Sequence, residues 1–200
     1  MKIRLSAMPL ERADADLAVL AVTAADLHRP ATLAALARAT GRRLGPELAR
    51  RRFTAAEGSA VLLAGGGRLR APQLAIVGLG APADAASPAW RRVADQVVAR
   101  SREVRARRAA LALAAAPVDL PGAVGQLCEG ARLAAYTFSE YRRDRDRVHL
   151  STLEIAGLAA PRDAALVAAV RRAGILADAT NQARTWINLP AAVMTPARLA

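Results

Sequence analysis

The chain has 200 residues, 54% hydrophobic but only 3% aromatic, with 23% charged and a formal net charge of +12. That length fits one ordinary domain, or one domain and part of a second, and can bury a core without disulfides or metal. The charged share argues against disorder, the single Cys128 excludes an internal disulfide or a cysteine-built metal cage, and the apolar run at 109–118, 10 residues, is too short to cross a bilayer.

Residues 2–6 alternate weakly, and Leu17–Thr23 (LAVLAVT) is an apolar run suited to a buried strand. Pro30 then opens a helix with Leu33 and Leu36 on one face, ending near Gly41. A very basic stretch follows, holding Arg42, Arg43, Arg50, Arg51 and Arg52. Residues 59–64 and 73–77 read as two strands joined through the turn at Gly65, Gly66 and Gly67. Ser87 and Pro88 form an N-cap and first-turn pair, after which Trp90, Val93, Val97 and Val104 share a helical face. Residues 109–115 read as a buried strand. Val124, Leu127, Cys128, Ala131, Ala134, Phe138 and Tyr141 then trace one helix, with Glu129, Arg132 and Arg143 off its apolar stripe. Residues 149–155 alternate like a strand, and Pro161 opens a last long helix with Leu166, Val170, Gly174 and Ala177 in register.

Strands and helices alternating from end to end predict an α/β fold, a three-layer α/β/α domain with helices on both faces. The glycine-turn strand pair makes the sheet mixed. Thr195 and Pro196 start a helix that has only one turn before Ala200, so the expectation is a chain that stops inside a larger protein. The apolar tail carrying Trp186, Ile187, Leu189, Val193, Met194 and Leu199 is expected to pack poorly or extend from about Thr185 onward.

No motif for catalysis survives inspection. Gly78-Leu79-Gly80 lacks the third glycine and the immediate helix of a dinucleotide fingerprint, and reads as a strand-to-helix turn. The triple glycine has no Gly-Lys-Ser/Thr sequel, and no Gly-x-Ser-x-Gly elbow exists. His28 and His149 have no partner at metal-ligand spacing, and Cys128 sits on an apolar stripe. No residue is therefore assigned a catalytic, cofactor-binding or metal-binding role. Lys2 is the only lysine among the basic residues. The arginine clusters at 100–108 and 142–147 read as solvated basic faces. Asp144 and Asp146 compensate part of the second, and few aromatics are present to stack bases. Any contact with DNA is expected to be non-specific and salt-sensitive. With no basic-then-apolar leader, the chain reads as soluble and cytoplasmic, with no membrane partner.

Two segments carry a resemblance. Residues 129–141 (EGARLAAYTFSEY), with Glu129, Gly130, Tyr136, Phe138 and Tyr141, resemble a helix near the end of the amino-terminal domain of leucyl, or cytosol, aminopeptidases. Residues 181–200, with Asn181, Arg184, Asn188, Pro190, Thr195 and Pro196, resemble that family's join between amino-terminal and catalytic domains. Ala192 stands where the family usually has a second asparagine. The resemblance implies a macro-domain-like domain over 1–158, then a connecting helix and the start of a truncated catalytic domain over 159–200. It further implies a homo-hexameric metalloaminopeptidase whose catalytic domain holds two divalent metals, zinc or manganese, through a lysine and carboxylates. The motifs for those ligands, resembling DTEGR and K-G…DSGG, do not occur in this sequence. The function expected is thus a non-catalytic amino-terminal domain serving assembly and active-site access. The alternative is a basic nucleic-acid-binding module, since some bacterial relatives bind DNA. A nucleotide or ADP-ribose binder rests on fold analogy alone.

Overall fold

The structure, a computed structural model, describes residues 1–81, 88–141, 149–190 and 193–195. Leu17–Thr23 forms β2, and its alternation decides the architecture. Leu17, Val19 and Ala21 face one core, while Ala18, Leu20 and Val22 face another. A strand buried on both faces needs a layer of helices on each side.

The other strands are β1 (Lys2–Leu5), β3 (Ala60–Ala64), β4 (Gln73–Gly80), β5 (Arg108–Leu113) and β6 (Thr152–Ile155). The sheet order is β1-β6-β5-β2-β4-β3, parallel throughout except that β3 runs antiparallel to β4. The mixed three-layer α/β/α fold read from the sequence is therefore the fold observed. Short helices α1 (Ala24–Leu27), α2 (Pro30–Thr40) and α3 (Leu44–Arg50) cover one face through Leu33, Leu36, Leu44 and Leu48. Helices α4 (Ala89–Glu103) and α5 (Leu120–Ala135) cover the other through Trp90, Val93, Val97, Val124 and Leu127. The long α6 (Ala164–Asn188) lies along α5, adding Leu166 and Ala173 to that second core, and its Ala177 is buried too.

Several boundaries differ from the sequence reading. Pro30 and the left-handed Gly41 (φ 68°) bracket α2 as expected. Pro161, however, lies in a turn, and α6 starts three residues later, where the Asp163 carboxylate accepts from the Leu166 N–H at 2.9 Å. Pro88 already has helical dihedrals and its carbonyl accepts from the Arg92 N–H, while Ser87 falls outside the described residues. The basic stretch after Gly41 contains α3, whose Leu44 and Leu48 are buried beneath its arginines.

Gly78-Leu79-Gly80 is not a turn but the end of β4. Backbone bonds from Gly78 N–H to the Ser59 carbonyl (2.8 Å) and from Gly80 N–H to the Ala55 carbonyl (2.9 Å) extend the strand. A Cβ on Gly78 would collide with the backbone of Ala55 and Ala56, so the glycine permits that close pairing. Helix α5 ends at Ala135, six residues before Tyr141, because Tyr136 turns to extended backbone (φ −58°, ψ 135°). The Tyr136-Thr137-Phe138-Ser139 sequence has little helix propensity. Among the described residues, no helix is long and apolar enough to cross a membrane.

Candidate functional site

The candidate chemistry of the sequence stays dispersed. His28 and His149 are both exposed, and no group of three or more His, Cys, Asp or Glu among the described residues could hold a metal. Cys128 is fully buried on α5, and burial pushes its thiol up to about 12 against a smaller opposite pull from Arg132. It is a small core residue with almost no thiolate near neutrality.

The arginines at 100–108 are largely engaged. Arg100 pairs with Glu103 at 2.6 Å, and Arg108 pairs with Asp14 at 2.6 Å and Asp16 at 3.4 Å. Burial would raise the Asp16 carboxyl, but N–H bonds from Arg108 and Arg107 and the Arg108 charge outweigh it and hold it below its ordinary value. The 142–147 cluster falls outside the described residues.

What the structure does bring together is part of the set of residues behind the resemblance. Three of them, Tyr136, Asn181 and Arg184, converge at the end of α5. A helix leaves its last four carbonyls without intrahelical partners. At the end of α5, three of these are taken by side chains from its neighbours. Asn181 Nδ2 donates to the Arg132 carbonyl at 3.2 Å, and Arg184 Nη1 donates to the Leu133 carbonyl at 3.1 Å. From α4, Arg102 Nη2 donates to the Ala134 carbonyl at 2.8 Å. Two guanidinium groups thus sit at the negative end of the α5 dipole. Just beyond, the Tyr136 hydroxyl lies 3.2 Å from Thr185 Oγ1, and the Arg184 guanidinium stands 5.9 Å from the Tyr136 ring centroid.

Glu129 and Gly130 serve the opposite side of α5. Glu129 Oε1 accepts from Arg91 Nη2 at 2.8 Å, tying α5 to α4. A Cβ on Gly130 would stand 3.0 Å from Arg91 Cα and 3.1 Å from the Ala94 Cβ, so the bare glycine sets how closely the two helices cross. Phe138 and Tyr141, expected on the helix, instead pack on one another outside it at 5.8 Å. Asn188 Nδ2 donates to the Arg184 carbonyl at 2.7 Å inside α6. Pro190 accepts from Val193 and Met194 N–H in the turn that follows, Thr195 is exposed, and Pro196 falls outside the described residues.

Sequence reasoning reads Arg102 only as part of a solvated basic face and gives Arg91 and Thr185 no role. Their partners lie 32, 38 and 49 residues away, beyond any local pattern. The helix expected to hold only to Arg184 runs on to Asn188, although Trp186 and Ile187 remain 43% and 83% exposed.

This architecture, a mixed six-stranded sheet between helical layers with the long α6 outside, is shared by solved structures. All of the chain superposes on 40% of a mutant of tomato leucine aminopeptidase with a TM-score of 0.83 at 22% identity. It also covers 34% of the bottromycin maturation enzyme BotP, with 91% of this chain matched at a TM-score of 0.65 and 25% identity.

Sequence carries the assignment to a family. Residues 19–145 match the model described as the cytosol aminopeptidase family, N-terminal domain. The probable cytosol aminopeptidase of Syntrophotalea carbinolica is 35% identical over 162 residues, which is 78% of this chain and 33% of that protein. That of Roseiflexus castenholzii is 34% identical over 137 residues, 67% of this chain and 28% of that protein. The chain belongs to the cytosol aminopeptidase family and contains its N-terminal domain. It spans about a third of the length of these curated relatives.

Proposed function

We propose that the chain is the non-catalytic N-terminal domain of a cytoplasmic, metal-dependent leucyl aminopeptidase, and that it serves assembly of a hexamer and access to the active sites. Residues 1–158 would form the macro-like body, and residues 159–200 the connecting helix and the first part of the catalytic domain. The observation that carries this reading is the clamp at the end of α5. The motif residues Asn181 and Arg184 dock the second part of α6, which would lead on to the catalytic part, onto the end of α5. Zinc or manganese would belong to the catalytic part. Among the described residues Lys2 lies on the edge strand β1, Cys128 is a buried neutral thiol, and no group of three or more His, Cys, Asp or Glu could hold such a metal.

The test is a chimaera in which this chain replaces the corresponding first third of the Syntrophotalea carbinolica relative. The expected result is a higher oligomer that hydrolyses leucine p-nitroanilide with added manganese and loses activity on chelation. The chain alone is expected to be inactive. A chimaera no better assembled and no more active than the remaining two thirds alone would end this reading.

The net charge of +12, with Arg38, Arg43, Arg50, Arg51 and Arg52 all exposed around α2 and α3, supports a weaker second role in sequence-indifferent DNA contact. Such binding falls steeply as salt rises.

A further inference from the structure

Helix α6 is continuous in hydrogen bonding but not in how it is held. Its buried residues are Leu166, Ala173 and Ala177, all in the first fourteen positions. After Ala177 no side chain of the helix is buried, and its two large apolar groups, Trp186 and Ile187, face solvent. The second part is attached to α5 by polar contacts alone among those described. These are the Arg132–Asp178 pair at 2.8 Å, with the Asp178 side chain 67% exposed, the two carbonyl caps from Asn181 and Arg184, the Tyr136–Thr185 hydroxyl contact, and the Arg184 guanidinium over the Tyr136 ring at 5.9 Å.

We propose that α6 consists of two units. Residues 164–177 are a fixed part of the outer layer. Residues 178–188 are a strap that undocks from the end of α5 as one piece and redirects the chain beyond Leu189. This inference concerns the chain itself and holds or fails independently of the aminopeptidase reading.

The attachment itself favours such a release. The Arg184 cap and the Arg132–Asp178 pair are exposed, and the Asn181 cap and the Tyr136–Thr185 contact are only part-buried. Polar contacts that water reaches exchange for it with little net loss, so they resist opening far less than buried apolar contact would. The boundary follows Ala177, the last buried side chain of the helix, so parting there leaves the core closed.

Hydrogen exchange on the 200-residue chain tests this directly. Amides 170–177 should share the protection of α5, and amides 181–188 should be about 100-fold less protected, with a step between the two groups. Asn181→Ala combined with Arg184→Ala should lower protection a further tenfold at 181–188. It should leave 170–177 and 123–135 unchanged. Equal protection along the whole of α6 would overturn the proposal. So would a smooth decline toward Asn188 that the double substitution leaves unaltered, because that is ordinary end fraying. Loss of protection spreading into α5 would also refute it, since strap and core would then open together.

Discussion

Helix α5 meets α4 on one side and α6 on the other, and the two contacts are built differently. Toward α4 the contact is close and largely apolar. Trp90, Val93, Ala94 and Val97 belong to one buried cluster with Val124, Leu127, Cys128 and Ala131, and Gly130 brings the backbones together. Toward the second part of α6 the contact is a set of side chains reaching helix-end carbonyls and one exposed ion pair. The first arrangement resists deformation because every lost contact opens a cavity. The second can part and be resolvated. Core packing fixes the body of the domain, while polar capping aims its connector.

The difference should appear first in stability. Leu127 is fully buried on the α4 side, and Leu127→Ala should cost about 3 kcal/mol, as transfer and cavity terms add. A urea titration should show the midpoint fall with an unchanged slope. A loss under about 1 kcal/mol would mean that this interface is looser than its burial implies. Next in size is Gly130→Val. Its branched side chain would enter a space where even Cβ stands 3.0 Å from the Arg91 backbone. Overpacking and helix separation should cost about 2 kcal/mol, read by the same titration. A neutral result would show that α4 can move aside freely.

On the other side of α5, Asn181→Ala and Arg184→Ala should each lower global stability by no more than about 1 kcal/mol, because the Arg184 bond is exposed and the Asn181 bond only part-buried at the helix end. Thermal unfolding of each single variant checks this. A loss matching that of Leu127→Ala would erase the contrast between the two contacts.

The same contrast explains what was legible in the sequence. Apolar periodicity located β2, α2, α4 and most of α5, because burial on a regular element repeats at a fixed spacing. Polar capping leaves no such repeat. The end of α5 was placed at Tyr141 since Phe138 and Tyr141 continue the apolar spacing, yet the chain turns at Tyr136, where side chains from two other helices receive its carbonyls. Pro161 carries the stronger local signal for a helix start, yet the cap is the Asp163 carboxylate two residues on. Asn181 and Arg184 were singled out by resemblance, but their acceptors could not be read from spacing. Short α1 was hidden for a similar reason, its capping box between Thr23 and Asp26 falling at the end of a strand pattern.

The smallest expected effect is also the one that separates the two faces of α5 most cleanly. Gly125 and Gly130 lie on the same helix, five residues apart, and each forgoes the helix propensity that alanine would supply, about 1 kcal/mol. Their surroundings differ. A Cβ at Gly125 would meet the Ala169 Cβ of α6 at 3.6 Å and its carbonyl at 3.8 Å, which is ordinary van der Waals contact. Gly125→Ala should therefore stabilise the domain by about 0.5 kcal/mol, mostly by narrowing the unfolded ensemble. The same substitution at Gly130 should gain less or lose, because there the added methyl must displace the backbone of α4. Paired urea titrations of the two alanine variants decide the matter. If Gly125→Ala destabilises as much as Gly130→Ala, the first part of α6 is fitted against α5 as tightly as α4 is, and the contrast between the two sides of α5 is confined to residues 178–188.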